Sequence, residues 1–411
     1  MIEDGVLDRA NVDALCERLG ISQRQLRRLF RDQLGTTPVH VAKTRRARFA
    51  RRLIDTTSLP MSRVAKAAGF GSTRRFNDVM HEVYGCTPTQ LRKHPRAEPG
   101  AIVLRVPVIR PFGWSRMLRF LAPCAIPGVE LIRDGQYFRT ARYRDAIGRI
   151  ALSYDSTEGV ILVRVGSELT PKLLEVASGV RRLFDTDMHP ESMMKDLARS
   201  ESLAAPLQQC PGLRIPGAFN HFETTVCALI AQHVEPKDAM HVLAEMVRKY
   251  GKPLPDASSG LSHAFPTPRE LSRARLTSIG LPKRRARTIQ ALAEAVDQGE
   301  LRLDGSPSLE HSTDRIRSIP GIGAWTADYI AMRVYRETDA FPTGDLALRK
   351  ALAGEGSLIS VKELEELSAE WAPWRAYATM CLWETMDPDL LDGVPLCHGL
   401  QDQTRQVEQV A

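Results

Sequence analysis

The sequence predicts a multidomain, mainly α-helical protein with a small α/β domain in its middle. Its 411 residues exceed what one hydrophobic core holds, since single cores stop growing at about 250–300 residues. Runs with strand composition lie between about residues 101 and 165, and the apolar patterns from about residue 190 onward are almost all helical. We expect domains over 1–96, 97–188 and 189–390, and a C-terminal tail over 391–411.

The charge of the chain is concentrated at its N-terminus. The net charge is +7, from 56 Lys and Arg against 49 Asp and Glu. Residues 1–96 contain 19 basic and 9 acidic residues, so this segment is +10 and the remainder is −3. A basic segment on an otherwise near-neutral chain predicts a polyanionic partner for that segment.

Several protein classes are disfavoured by composition. No run of about 18 apolar residues occurs and the first residues do not form a secretory signal, so we expect a cytoplasmic protein without a membrane partner. The seven cysteines include no Cys-x-x-Cys pair. This spacing argues against a zinc site, an iron–sulfur cluster or a disulfide framework.

Two similar helix–turn–helix patterns follow one another in the first segment. Gly20 closes a first helix and Ser22 caps the next one. The pattern repeats from Met61, with Ser72 as the second cap, and a Gly-x-Thr-Pro sequence at 35–38 and 85–88 ends each copy. A repeat with matching caps, glycines and prolines predicts two related DNA-binding units.

The helix that follows Ser22 is amphipathic. Leu26, Leu29 and Phe30 recur at helical spacing and are predicted to face the core. The polar residues of the same helix are predicted to face outward, and these are Gln23, Arg24, Arg27 and Arg28.

Residues 8–94 closely resemble the AraC-type DNA-binding domain, in which a basic helix, here 39–54, joins the two units. The resemblance implies that the capped helices enter successive major grooves, with promoter DNA as the partner. It makes four arginines candidates for base or phosphate contacts: Arg24, Arg27, Arg74 and Arg75. Five arginines of the joining helix either contact phosphates or form a solvated face: Arg45, Arg46, Arg48, Arg51 and Arg52.

Adaptive-response proteins of the Ada type place a cysteine-rich, zinc-binding methyl-acceptor module before such a domain. This chain begins too late to contain one. The gene has lost the module, a separate chain supplies it, or the start is misassigned. We therefore do not expect phosphotriester repair from these 411 residues.

The second segment has the composition of a small α/β layer. Residues 101–108 and 158–165 are predicted strands, and residues 114–121 between them are a predicted helix.

A glycine hairpin precedes a helix in the C-terminal segment. Gly321 and Gly323 flank one apolar residue, so the chain can turn tightly and present backbone N–H groups to a phosphate. Gly-x-Gly alone also fits an ordinary turn between helices. Here it is followed by Trp325 and Tyr329 one helical turn apart, and then by Asp345 in Pro-Thr-Gly-Asp.

These residues resemble the helix-hairpin-helix DNA glycosylase superfamily, in its bacterial 3-methyladenine DNA glycosylase II (AlkA-type) branch. Residues 97–188 are similar to the N-terminal domain of that branch. The resemblance implies that Asp345 is the catalytic carboxylate, although an isolated Asp before a helix is also an ordinary cap. It also implies an aromatic pocket for the damaged base, lined by Trp325, Tyr329, Trp383 and Phe120. Trp371 and Trp374 are expected to pack in the core.

The resemblance further implies where DNA is held. Gln232 and His233 would lie at the minor groove, with His233 filling the gap left by the extruded nucleotide, where an apolar wedge is usual; a simple surface turn is the alternative. No cofactor is required. As in related proteins, hairpin carbonyls could bind sodium or potassium, and the candidates are those of Arg317, Ile319 and Ile322.

Members that also cut the DNA backbone carry a Lys two positions after the second hairpin glycine, where this chain has Trp325. The resemblance thus implies a monofunctional, bacterial, DNA-associated glycosylase that leaves an abasic site in duplex DNA containing alkylated bases. Stacking and cation–π attraction would hold the cationic bases. The alternative is a transcription regulator with a non-catalytic glycosylase-like scaffold, and both activities can coexist.

Overall fold

The computed structural model describes residues 6–9, 11–92, 102–231, 236–256, 259–305, 308–353 and 357–386. The chain divides into two compact units. The first contains residues 1–106 and 140–181, and the second contains residues 107–139 and 182–411. The predicted tail at 391–411 lies outside the described residues.

The N-terminal helices form two helix-turn-helix units joined by a long helix, as predicted. Ser22 and Ser72 accept backbone hydrogen bonds as helix caps. Gly20 ends the helix before Ser22, and Gly85 ends the helix that Ser72 caps, both with left-handed backbone. The helices are α1 Val6–Arg9, α2 Val12–Leu19, α3 Gln23–Leu34, α4 Pro38–Thr56, α5 Met61–Ala67, α6 Thr73–Tyr84 and α7 Pro88–Leu91.

One side chain of α3 differs from its predicted position. Leu26 is buried at 1% exposure, whereas Leu29, also predicted to face the core, is 48% exposed. Helical spacing predicts a row of apolar side chains along one face of α3. Only Leu26 and Phe30 of that row pack against the small hydrophobic cluster around Leu15 and Cys16.

The long helix α4 does not present all its arginines to solvent. The Arg45 guanidinium donates to Ser178 Oγ at 2.7 Å, and the Arg46 guanidinium donates to Gly69 O at 3.4 Å and lies 5.7 Å from the Phe70 ring. Arg51 pairs with Asp55 at 2.7 Å. Arg45 and Arg46 are half-buried and have partners distant in sequence, so they do not form a fully solvated face, and a phosphate contact stays a prediction.

The middle of the chain forms one five-stranded sheet in the order β1-β5-β4-β3-β2. Ile150 lies opposite Val165 in the antiparallel β4–β5 pair, and Glu130 lies opposite Arg139 in the antiparallel β2–β3 pair. The strands are β1 Ile102–Pro107, β2 Glu130–Arg133, β3 Gln136–Tyr143, β4 Ala146–Asp155 and β5 Val160–Val165. Sequence analysis found β1 and β5 but missed β2, β3 and β4, whose arginines and tyrosines obscure the alternation.

The remaining elements are almost all helical, as predicted. Those of the middle segment are α8 Trp114–Leu121 and α9 Leu173–Leu183, with 3₁₀ turns at Ala122–Cys124 and Ser167–Lys172. The C-terminal helices are α10 Pro190–Leu197, α11 Glu201–Gln209, α12 His221–Ala231, α13 Pro236–Tyr250, α14 Pro268–Ser272, α15 Lys283–Asp297, α16 Leu309–Arg317, α17 Ala324–Ile330, α18 Leu346–Ala351, α19 Val361–Ser368 and α20 Arg375–Thr385. A short ribbon, β6 Lys252–Pro253 and β7 His263–Ala264, and 3₁₀ turns at Leu276–Ile279 and Ala369–Trp371 connect them.

A π-helical turn, Ala331–Tyr335, directly follows α17. Such turns are rare and occur frequently at functional sites. Within the part of the chain that the structure describes, no helix is long and apolar enough to cross a membrane.

Candidate active site

A tight hairpin joins α16 to α17. Gly321 has φ +94°, and a Cβ at this position would lie 2.2 Å from Thr288 Oγ1. The Thr288 hydroxyl donates to Pro320 O at 2.9 Å, which fixes the turn against α15. Gly323 differs, since its φ is −87° and a Cβ there would meet nothing within 4 Å. The fold therefore requires glycine at 321, whereas the open space at Gly323 leaves its backbone accessible.

One of the three carbonyls predicted to bind a cation is already a hydrogen-bond acceptor. Ile319 O accepts from the Ile322 N–H at 3.2 Å, so it is not free as predicted. A carbonyl oxygen has two lone pairs, and one of them remains for a cation. The cation stays a prediction.

Asp345 is a buried helix cap with indole donors. It is 2% exposed, and its Oδ1 accepts from the Leu348 N–H at 2.9 Å, which caps α18. The Trp325 indole donates to Oδ2 at 3.0 Å, and the Trp383 indole lies within hydrogen-bond reach of Oδ1 at 3.5 Å. The same carboxylate therefore caps α18 and accepts from indole donors.

The electrostatics of Asp345 reflect two opposed influences. Burial raises the pKa of this carboxyl above its ordinary value, because desolvation penalises the charged form. The backbone N–H of Leu348 and the two indoles lower the pKa, because they donate to the anion. A buried carboxylate held by N–H donors is preorganised to stabilise a positive charge that develops beside it.

Three of the four predicted pocket aromatics lie together beside Asp345. The Trp325 and Tyr329 rings stack with centroids 5.3 Å apart and an interplanar angle of 12°. The ring centroids of Tyr329 and Trp383 are 6.3 Å apart.

Trp371 and Trp374, which were expected to pack in the core, have structural partners. Trp371 is fully buried and its indole donates to Ser200 Oγ at 3.1 Å, and the Trp374 indole donates to Asp196 at 3.1 Å.

Phe120 is close to these rings, but the Arg333 side chain packs against it. The Arg333 guanidinium lies 4.8 Å from the Phe120 centroid and 5.5 Å from that of Tyr329. Arg333 also donates to the Tyr329 hydroxyl at 2.5 Å and to Pro216 O. Sequence reasoning did not identify Arg333, although its i, i+4 spacing from Tyr329 along one helix was a usable signal.

A buried ionic cluster lines a cavity that Tyr329 and Arg333 also line. The Arg139 guanidinium donates to both carboxylate oxygens of Glu223, at 2.7 and 2.9 Å, and to Glu130 at 3.1 Å. Burial raises the pKa of Glu223 to about 7, although the adjacent Arg139 opposes this. Sequence reasoning missed the cluster, because its members are distant along the chain.

The predicted DNA-contacting residues fall into two groups. The candidate arginines of α3 and α6 are exposed, and these are Arg24, Arg27, Arg74 and Arg75. Gln232 and His233 lie outside the described residues, so the minor-groove contact stays a prediction.

Two family models match the chain. The AlkA N-terminal domain model matches residues 103–220, and a helix-turn-helix domain model matches residues 15–94. A Mycobacterium tuberculosis protein described as a probable bifunctional transcriptional activator/DNA repair enzyme AlkA is 37% identical over 394 residues, 94% of this chain and 79% of that protein. The chain belongs to the AlkA family.

Other members and neighbours agree with this assignment. The AlkA-family DNA-3-methyladenine glycosylase 2 of Escherichia coli is 30% identical over 278 residues, which are 67% of this chain and 94% of that enzyme. A 3-methyladenine DNA glycosylase from Archaeoglobus fulgidus shares the fold, with a TM-score of 0.56 at 20% identity over 68% of this chain and 96% of that chain. This AlkA-family chain is thus a DNA glycosylase with an added AraC-type helix-turn-helix domain, and AlkA-type glycosylases need no cofactor.

The two hairpin glycines should respond differently to alanine. Gly321→Ala should lower the free energy of unfolding by about 1–3 kcal/mol, because the left-handed backbone and the Thr288 hydroxyl both oppose a Cβ. Gly323→Ala should leave stability nearly unchanged. Urea unfolding of both variants measures this, and equal losses would contradict the structural account of Gly321.

Removing one indole donor should change the titration of Asp345. Trp325→Phe removes an N–H that lowers the pKa of this carboxyl, so the pKa should rise further. The carboxyl ¹³C chemical shift followed against pH measures this. Trp374→Phe is the matched control, since that indole bonds to Asp196. Identical titrations in the wild type and Trp325→Phe would show that the Trp325 indole does not lower the pKa of Asp345.

Proposed function

We propose that the chain excises alkylated bases of the 3-methyladenine type from duplex DNA, hydrolysing the N-glycosidic bond and leaving an abasic site. The observation that carries this proposal is the buried Asp345 carboxylate, held by indole N–H groups next to stacked aromatic rings. The names of the M. tuberculosis and E. coli relatives support the same substrate class.

The mechanism starts with extrusion of the damaged nucleotide. A base inside a duplex cannot be reached, and flipping it out costs a few kcal/mol, least for a weakened pair. The base then contacts the aromatic group of Trp325, Tyr329 and Trp383. The Trp325 and Tyr329 rings stack on each other, and Asp345 is buried, so entry of the nucleotide requires a local rearrangement.

Bond cleavage then places positive charge on the sugar. The bond between C1′ and the base nitrogen breaks with its electron pair remaining on the base, and the sugar acquires oxocarbenium character. Asp345 stabilises this charge, either directly or by orienting the water that adds to C1′. Exclusion of bulk water strengthens the attraction, and the N–H donors orient the carboxylate and lower its pKa against the effect of burial.

The product is proposed to be an intact abasic site. Trp325 occupies the position at which lyases of the superfamily carry their Schiff-base lysine, and its indole is engaged with Asp345. The side chain at this position therefore has no amine that could attack C1′ and form a Schiff base.

DNA is proposed to be held in two ways. The hairpin around Gly323 presents backbone N–H groups, since the first N–H groups of α17 have no partner within the helix. The exposed arginines of α3 and α6 supply cationic contacts to phosphates and to promoter DNA. His233 as the minor-groove wedge, a monovalent cation at the hairpin and a cytoplasmic location belong to the same proposal.

Asp345→Asn should abolish base release while leaving affinity for abasic-site DNA within a few-fold. The change removes a charge that matters in the transition state but keeps an oxygen to cap α18. Release of free 3-methyladenine from methylated duplex DNA measures the activity, and Asp314→Asn, an exposed carboxyl of α16, is the control. More than about a tenth of wild-type activity in Asp345→Asn would exclude it as the catalytic carboxylate. An inactive wild type would favour the regulator with a non-catalytic scaffold.

The wild-type product should be nicked only after alkali treatment, because no lysine stands at position 325. Borohydride added during the reaction should trap no protein–DNA adduct. A covalent adduct would overturn the monofunctional assignment.

Replacing the four exposed arginines of the helix-turn-helix units by alanine should flatten the salt dependence of DNA binding. Each lost phosphate contact lowers the slope of log K against log salt concentration by about 0.9, so a decrease of about 2 or more is expected. A matched control replaces four exposed arginines outside these units, Arg105, Arg133, Arg164 and Arg199. An equal decrease in the control would contradict a specific role for α3 and α6.

A further inference from the structure

Asp185 and Arg336 form an ion pair in which both residues have an unusual backbone. The Arg336 guanidinium donates to Asp185 Oδ1 at 2.9 Å, and Asp185 is 3% exposed. Among the residues that the structure describes, four non-glycine residues have a positive φ, and these are two of them, at +47° and +61°. The left-handed region is unfavourable for a residue with a Cβ, and residues held there cluster at functional sites.

Arg336 ends the π-helical turn that follows α17. The backbone N–H groups of Arg336 and Glu337 both donate to Ala331 O, which closes the turn. Glycine is the usual residue at a left-handed helix end, and α2, α3 and α6 each end at one. The arginine at position 336 makes a contact that a glycine could not make, because its side chain reaches the Asp185 carboxylate.

The second oxygen of Asp185 is bound to α20. The Tyr377 hydroxyl donates to Asp185 Oδ2 at 2.7 Å, and Tyr377 is buried. The Arg375 guanidinium, at the start of the same helix, donates to both carboxylate oxygens of Asp339, at 2.8 and 2.6 Å. The start of α20 is therefore fixed to the residues that follow the π-helical turn, and Asp185 contacts both sides of this junction.

The two elements joined in this way carry the indole donors of Asp345. α17 continues into the π-helical turn and contains Trp325, whereas α20 contains both Tyr377 and Trp383. The Trp325 indole donates to Asp345 Oδ2 at 3.0 Å, and the Trp383 indole lies 3.5 Å from Oδ1. Because hydrogen bonds weaken steeply with poor geometry, a small shift of one element against the other would loosen a donor.

We propose that Asp185 is a positioning residue for base excision, which fixes the π-helical turn against α20 and thereby holds the indoles of Trp325 and Trp383 on Asp345. This inference rests on the proposed function. Asp185 acts through Arg336 and Tyr377 and not on the substrate.

Two replacements of Arg336 separate positioning from stability. Arg336→Gly and Arg336→Ala both remove the guanidinium, but only glycine adopts φ +61° without strain, so Arg336→Ala should have the lower urea midpoint. The effect on Asp345 should nevertheless be the same in both. The indoles lower the pKa of this carboxyl, so looser indoles should let its pKa rise. The carboxyl ¹³C shift of Asp345 followed against pH measures this without requiring activity.

Base release should change in parallel with this titration. Both variants should release 3-methyladenine in single turnovers about tenfold more slowly than the wild type, with affinity for abasic-site DNA within about twofold, because the donors matter most in the transition state. Release requires the ionised carboxylate, so activity is lost as the pH falls through the pKa of Asp345. The raised pKa should therefore move the acid limb of the rate profile to higher pH.

Asp185→Asn tests the ion pair from its other side. The amide oxygen can still accept from Tyr377, so this variant loses mainly the attraction to Arg336. If the two residues act as a pair, the double variant with Arg336→Gly should raise the pKa of Asp345 no further than either single variant. Asp134→Gly is the control, since Asp134 is exposed with φ +51° in the turn between β2 and β3. It should change neither the titration nor the rate.

The outcomes separate this inference from the proposed function. An unchanged titration of Asp345 in both Arg336→Gly and Asp185→Asn would overturn the positioning role, whatever the rates. Losses of rate that follow the urea midpoints of the two Arg336 variants would assign the effect to stability and also overturn it. If neither Arg336 variant folds, Asp185→Asn decides. A wild type that releases no base, with the titration shifted as expected in the variants, would overturn the proposed function and support the effect of Asp185 on the indoles.

Discussion

The carboxyl group of Asp345 is almost completely removed from water, and its burial constrains much of the C-terminal part of the molecule. Burying an ion costs several kcal/mol even after relaxation, so donors must be supplied from the surrounding structure. They come from three places: the first turn of α18, Trp325 on α17 and Trp383 on α20. Three helices must therefore meet at one carboxylate. The hairpin, with its glycine against Thr288, sets where α17 begins and thereby where the Trp325 indole lies.

The same arrangement links structure to chemistry. A fixed anion in a dry site attracts positive charge on a neighbouring sugar more strongly than an exposed one does. The Arg333 guanidinium lies 5.5 Å from the centroid of the Tyr329 ring and donates to the Tyr329 hydroxyl, so the aromatic group also contacts a cation of the protein.

Features that depend on neighbours along the chain could be predicted from the sequence. Ser22 and Ser72 cap helices because a capping oxygen needs only an N–H about three residues ahead, and Gly20 ends a helix for a similarly local reason. The proximity of Asp345 to Trp325 and Trp383 came from the resemblance of a whole motif. Two contacts could not be predicted, because only tertiary packing brings their members together. They are the ion pair of Arg139 with Glu223, 84 residues apart, and the contact of the Arg333 guanidinium with the Phe120 ring. The strands β2 to β4 were missed because buried polar residues such as Arg139 interrupt their apolar alternation.

The central claim is that the ionised, buried Asp345 stabilises positive charge on the sugar. Its most direct test compares binding of duplex DNA containing a cationic pyrrolidine in place of the sugar with binding of DNA containing a neutral tetrahydrofuran abasic site. The wild type should bind the cationic mimic more than tenfold tighter, because only that mimic has the charge of the transition state. This preference should fall to near unity in Asp345→Asn. An undiminished preference in the variant would place the stabilising charge elsewhere and contradict the account.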